Sequence, residues 1–206
     1  MRIIAGQWRG RTIQAPPGDN TRPITDRAKT VLFDVLGSRL AQPGRLPPIA
    51  VLDLFAGSGS LGLEALSRGA RHCVFVERHR ATAGIIRGNL DTLRVIREAH
   101  VIEGDATRID FPAPPPEESD PPGSAGRYEL VFVDPPYRML SGPLPERGVH
   151  ELCARLASTP VIAPTAIIVV RHSQDDSPDL SPLVEHERRD VGSMTFRFMR
   201  RPDAGL

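Results

Sequence analysis

The chain has 206 residues, 40% hydrophobic and 25% charged, enough for one α/β domain with a proper core and a small extension. No run approaches the roughly eighteen apolar residues of a membrane span. The segment Met1–Gln7 is too short for a signal peptide, so a cytoplasmic protein is expected. The net charge of +1 does not by itself announce a nucleic-acid partner. Cys73 and Cys153 are expected as buried small hydrophobes, and the scattered histidines lack metal-ligand spacing.

Residues 1–45 read as a basic extension and 46–206 as the main domain. The segment 1–29 carries Arg2, Arg9, Arg11, Arg22, Arg27 and Lys29 against Asp19 and Asp26, a local patch able to neutralise phosphates. Arg2–Ile13 predicts two short strands around a glycine-containing turn. Thr25 or Asp26 can cap a helix from Arg27 to about Arg39, with Ala28, Val31, Leu32, Val35 and Leu36 at helical spacing. Strands and helices then alternate. Strands are expected at Val51–Leu54, Cys73–Val76, Val101–Glu103, Leu130–Val133, Ala166–Val170, Val184–Arg189 and Thr195–Arg200. Helices are expected at about 60–68, 80–93 and 146–157. This order argues for a doubly wound, mostly parallel sheet. The proline-rich stretch 112–126 reads as an exposed, mobile insertion.

Two motifs carry the chemistry, about eighty residues apart. In the first, Asp53, Leu54, Phe55, Ala56, Gly57, Ser58, Gly59 and Ser60 join a strand to a helix. Glycines there let a ligand approach the backbone, and the helix start offers free N–H groups. Glu77 ends the next strand, where a carboxylate can accept both hydroxyls of a ribose. These features fit a dinucleotide as well as S-adenosylmethionine. Asp53 tilts the choice, because an acid beside the turn repels a pyrophosphate and suits a cationic methionine group. Asp105, closing the third strand, can reach an adenine amine. The neighbours Arg78 and Ala106 are assigned to the same ligand.

The second motif is Asp134-Pro135-Pro136-Tyr137, at the end of an apolar strand. An exocyclic amine on an aromatic ring is a poor nucleophile, because its lone pair is delocalised. Two acceptors on its N–H bonds turn the lone pair toward a methyl donor. The Asp134 carboxylate and the Pro135 carbonyl are the candidate acceptors, Pro136 stiffens the turn, and Tyr137 stacks on an unstacked base.

Together the runs Arg2–Arg11, Arg22–Arg27, Phe55–Gly59, Leu63–Ala70 and Asp134–Tyr137 closely resemble the RsmD family of bacterial 16S ribosomal RNA guanine-N2 methyltransferases. The resemblance covers nearly the whole chain. It implies a Rossmann-like class I methyltransferase fold, with a seven-stranded, mostly parallel sheet, a reversed last strand and a small N-terminal hairpin and helix. It also implies S-adenosylmethionine as donor, and as target one guanosine of 16S rRNA in a small subunit or late assembly intermediate. A monomer is expected. Arg2, Trp8, Arg9 and Arg11 would contact RNA, while Arg22, Thr25, Asp26 and Arg27 would lie near the mouth of the site. Trp8 read structurally is a lid over the sheet, and Thr25 and Asp26 are a helix cap. The chain departs from the family in having Arg171 where a glutamate is common, and in the length of segment 112–126. Three other readings stay open: N6 methylation of adenine in DNA or RNA, a nicotinamide oxidoreductase, and a catalytically silent RNA-binding module.

Overall fold

The structure, a computed structural model, describes residues 1–17, 24–40, 43–95, 97–117, 125–136, 139–140 and 148–202. Its elements in chain order are α1 (Asp26–Arg39), β1 (Ala50–Leu54), α2 (Ser60–Ser67), β2 (His72–Glu77), α3 (Arg80–Leu93), β3 (Ala99–Glu103), β4 (Tyr128–Val133), α4 (Gly148–Ser158), β5 (Ile162–Ser173), β6 (Val184–Val191) and β7 (Met194–Arg200). The strands form one seven-stranded sheet in the order β3-β2-β1-β4-β5-β7-β6. The first five pair in parallel. The last strand, β7, slots between β5 and β6 and runs antiparallel to both.

Strand alternation explains the two cores. Val51, Phe75, Leu130, Phe132, Val169 and Phe196 join α1, α2 and α3 in one cluster. Leu52, Val74, Val131, Val133, Ile168 and Val170 join α4 in the other. Cys73 and Cys153 are buried free thiols, one in each cluster. Each fully buried large side chain, Phe132 for example, contributes about 1.5–3 kcal/mol over an exposed position.

Every residue of α2 is buried. It ends in a Schellman motif: the Gly69 amide donates to Leu66 O and the Ala70 amide to Ala65 O, with Gly69 at φ 121°. Gly62 lets this helix lie against β2, since a Cβ there would stand 2.3 Å from the Phe75 ring and 2.6 Å from Cys73 Sγ.

The expected N-terminal hairpin forms around one antiparallel bridge, Arg2 with Thr12. Across it the Ile3 amide donates to Arg11 O, the Gly10 amide to Ile3 O and the Ile13 amide to Met1 O, at 2.9, 2.9 and 3.0 Å, and other amides of the segment turn to α2. Those of Ile4 and Ala5 donate to the Glu64 carboxylate at 2.9 and 3.0 Å. Those of Gln7 and Trp8 donate to Ser67 O and Oγ at 2.8 and 3.0 Å. The segment thus both closes on itself and docks on α2. Ile3 and Ile13 are buried in the first cluster beside α1.

The proline-rich stretch holds no regular element over its described part, but its start is anchored. Tyr128 Oη donates to Pro112 O at 2.9 Å, Arg71 Nη1 donates to Pro115 O at 2.8 Å, and Pro114 is buried. Residues 118–124 lie outside the described residues. The fifth strand is longer than expected, running through Pro164 and on to Ser173. A register shift between Tyr128 and Leu130 opposite it accommodates the irregular stretch.

Candidate active site

The centre of the sheet edge is the place where the fold changes direction. Chain order runs outward from β1 through β2 to β3, then returns to β4 on the other side of β1. Ligands of open α/β sheets bind at such a switch point, outside the carboxyl ends of the strands. Leu54 and Val133 are register partners there, and the Asp134 amide donates to Leu54 O at 3.4 Å. Both sequence motifs therefore begin side by side.

The turn after β1 is built from left-handed residues: Phe55 at φ 61°, Gly57 at 56° and Gly59 at 77°. Gly59 is also the N-cap of α2, which has no side-chain cap, so the helix start depends on other acceptors. Asp53 supplies one. It is buried, and its Oδ2 accepts from the Gly62 amide at 2.9 Å. Burial pushes this carboxyl well above the usual range; the Gly62 amide opposes the rise, and Asp134 and Glu77 add to it. Glu77 braces the turn from β2. It accepts from the Gly57 amide at 3.0 Å and from the His79 amide at 2.8 Å. Ser58 and Ala56 are buried within the turn.

Beside this turn lies a cavity of about 360 Å³, lined by Phe55, Arg78, Asp105, Pro136, Met139 and Gly148 among others. That is the size range of small-molecule sites. Burial raises the Asp105 carboxyl, but the Thr107 hydroxyl and amide outweigh it, together with Arg108 and Arg78. The carboxyl therefore lies below its ordinary range. Its Oδ1 accepts from Thr107 N at 2.9 Å and Oγ1 at 2.7 Å. Ala106 is buried in the second core cluster rather than at the cavity wall.

Of the tetrad, Pro136 lines the cavity, Pro135 is buried, and Tyr137 lies outside the described residues. Asp134 turns toward β5, where Arg171 Nε donates to its Oδ1 at 2.6 Å. Burial pushes the Asp134 carboxyl up, and Arg171 pulls it only part of the way back by charge and hydrogen bond, so it stays above its ordinary range.

The N-terminal residues of interest sit on the α1–α2 side. Arg2 pairs with Asp26 at 2.8 Å, and both side chains are largely exposed. Thr25 caps α1, accepting from the Ala28 amide at 3.2 Å. Trp8 is half-buried against the first core cluster, as a lid would be. Arg9 and Arg27 are exposed, and Arg11 donates to Thr92 O at 2.8 Å, at the end of α3. Arg22 lies outside the described residues.

Several residues were not singled out from sequence. Asn89 ties the N-terminal segment to the glycine turn: Nδ2 donates to Gln14 O at 3.0 Å and Ser58 O at 3.1 Å, while Oδ1 accepts from Gln14 N at 2.7 Å. Glu64 is fully buried and bonded to Arg68 at 2.9 Å, with Lys29 Nζ 3.7 Å away. A charged residue on an otherwise apolar helix was the available signal for Glu64; Asn89 sits among other polar residues of α3 and gave none.

The family model described as conserved hypothetical protein 95 matches residues 1–200. The ribosomal RNA small subunit methyltransferase D of Escherichia coli K12 is 33% identical over 100% of this chain and 92% of its own. Its Haemophilus influenzae counterpart is 35% identical over 88% and 83%. The chain belongs to the RsmD family. A solved Escherichia coli structure, given the provisional name methyltransferase yhhF, superposes with TM-score 0.72 at 32% identity, covering 98% of this chain and 97% of that one. The fold of this RsmD-family chain is that of class I methyltransferases. The Streptomyces viridochromogenes rRNA methyltransferase aviRa shares it at TM-score 0.65 and 19% identity.

Proposed function

We propose that this protein transfers a methyl group from S-adenosylmethionine to the exocyclic N2 amine of a guanosine in 16S rRNA, within a small ribosomal subunit or late assembly intermediate. The relatives' names support ribosomal RNA as substrate. The observation that carries the choice of base is the Asp134–Arg171 pair at the switch point. An ionised carboxylate only accepts hydrogen bonds. Guanine presents N1–H and N2–H together on one edge, both donors. Adenine presents its N6 amine beside N1, an acceptor that would repel the carboxylate. Arg171 supports the accepting form against burial, which still holds the carboxyl above its ordinary range, and the two donors on the guanine edge suit that form better than adenine N1 does.

The donor's residues fit the chain. The turn 55–59 leaves open space where a Gly57 Cβ would stand, and the adjoining cavity has an acid, Asp105, and an aromatic wall, Phe55. Asp53, Phe55, Ala56, Gly57, Ser58, Gly59, Glu77, Arg78, Asp105 and Ala106 would hold or shape that site, Asp53 and Ala106 from behind it. Bound there, S-adenosylmethionine supplies an electrophilic methyl group. Asp134 and the Pro135 carbonyl accept the two amine hydrogens and turn the nitrogen lone pair toward that carbon. The donor would supply the methyl carbon with sulfur as the leaving group, and Asp134 would take the surplus proton of the amine along its hydrogen bond. Alignment supplies much of the acceleration. Arg2, Trp8, Arg9, Arg11, Arg22, Thr25, Asp26 and Arg27 form the RNA-facing side, and the protein acts as a cytoplasmic monomer.

The test is methyl incorporation from labelled donor into small subunits, free 16S rRNA and duplex DNA, with the modified base identified by mass mapping. N2-methylguanosine in small-subunit RNA is expected. Asp134→Ala should lower turnover by about a hundredfold or more, with donor affinity within a few-fold of wild type. Label on adenine N6, or an Asp134→Ala variant that loses donor binding yet keeps turnover, would overturn the assignment.

A further inference from the structure

Arg171 enters near the end of β5, opposite Phe196 of β7. Its side chain is 9% exposed and that of Asp134 19%, so the 2.6 Å contact is shielded from water on most sides. Arg171 Nη1 also lies 3.8 Å from Met194 Sδ, which holds the guanidinium against the first core. Buried ion pairs are a weak source of stability, because desolvation offsets the attraction. Folding energetics therefore do not account for an arginine here. Its position does: it grips the acid at the strand end where the two motifs meet.

We infer that Arg171 is a positioning residue for the methyl-transfer reaction, fixing the Asp134 carboxylate through Oδ1 and leaving Oδ2 to accept the target amine. This rests on the reading of Asp134 given above. The guanidinium does two things. Its rigid plane, seated against Met194, directs one N–H at Oδ1 along a fixed line, which a mobile ammonium does not. Its charge also favours the ionised, accept-only form against burial. Among the described residues, Arg171 from β5 is the charge that acts on Asp134, buried Asp53 on β1 is itself pushed toward the neutral form, and β7 contributes Met194 and Phe196, which carry no charge. Removing the guanidinium would leave burial unopposed. Burial pushes protonation to higher pH, so activity would fail earlier as pH is lowered.

The experiment uses the full chain with Arg171→Gln and Arg171→Lys. The Asp134 carboxyl is followed by carbon-13 titration, assigned with Asp134→Asn, without RNA. In Arg171→Gln the midpoint should rise by roughly one to three pH units, and in Arg171→Lys it should stay near wild type. Methyl transfer is measured alongside. Both variants should lose roughly ten- to hundredfold in kcat, with KM for RNA and donor affinity little changed. The acid limb of the pH profile should move up in Arg171→Gln alone. In an Asp134→Asn background, Arg171→Gln should cost nothing further. An unmoved midpoint in a folded Arg171→Gln protein overturns the inference, and so does full additivity with Asp134→Asn. Should Arg171→Gln not fold, Arg171→Lys decides: reduced kcat supports the role, and wild-type kcat ends it. A shifted midpoint in a protein that methylates none of the RNAs would support the pair and count against the proposed substrate.

Discussion

Asp53 is a carboxylate held where its charge is costly. It is 1% exposed, and its hydrogen bond to Gly62 does not cancel burial. The folded protein therefore keeps a proton on Asp53 at pH values where the unfolded chain has lost it. A raised folded value means that stability is fullest at low pH and declines as pH rises from about 4 through that value. Asn can accept from the Gly62 amide with its side-chain oxygen and carries no charge. Asp53→Asn should thus be at least as stable as wild type, with a margin that widens between pH 5 and pH 8 in denaturant unfolding. A margin constant with pH would show that Asp53 does not titrate in this window. The glycine turn and the acid preceding it were readable in the chain. The direction of the Asp53 side chain, inward onto the start of α2, depends on strand alternation against a helix that crowds Cys73 and Phe75. Arg171 was visible as a departure from the family, but its partner stands 37 residues away and is brought to it only by the pairing of β4 with β5.

At the scale of elements, apolar runs and caps located the alternating core well. The third helix was expected at about 80–93 and is found as Arg80–Leu93. β5 was underestimated at both ends, for two reasons. Pro164 reads as a strand breaker, though the strand passes through it beside a register shift. Arg171 and His172 read as the polar end, though β7 pairs with both and buries them. The N-terminal hairpin was legible from spacing, but spacing does not reveal that α2 would also claim some of its amides. Glu64 is the reason. One fully buried carboxylate accepts from Ile4, Ala5 and Arg68, with Lys29 close by. Neutralising it would strand Arg68 and Lys29 as buried cations. Glu64→Gln should therefore cost about 3–5 kcal/mol of stability, read as a lowered urea midpoint with unchanged slope. A loss below about 1 kcal/mol would place the weight of the docking on the hydrophobic contacts of Ile3 and Ile13 instead.

Over the whole molecule, a net charge of +1 conceals an uneven surface. Arg9 and Arg11 project from the docked N-terminal segment, and Arg11 reaches the end of α3 through Thr92 O. If these two arginines meet phosphates, Arg9→Ala and Arg11→Ala should each weaken RNA binding and flatten its salt dependence. The slope of log K against log salt should fall by about 0.7–0.9 per lost contact. Weaker binding with an unchanged slope would assign them to shape rather than charge. Sequence located this basic segment but not its close seat on the domain, where a Cβ on Gly6 would stand 1.8 Å from Ser67 O.

That seat also imposes an order in time. The N-terminal segment leaves the ribosome ahead of α2 and α3, yet Ile4 and Ala5 wait for a carboxylate 60 and 59 positions later, and Gln14 for an amide side chain 75 positions later. During synthesis the opening stretch therefore stays undocked, its arginines free to meet other anions, until α2 and α3 have emerged behind it. A stretch made before its seat must wait for that seat to arrive.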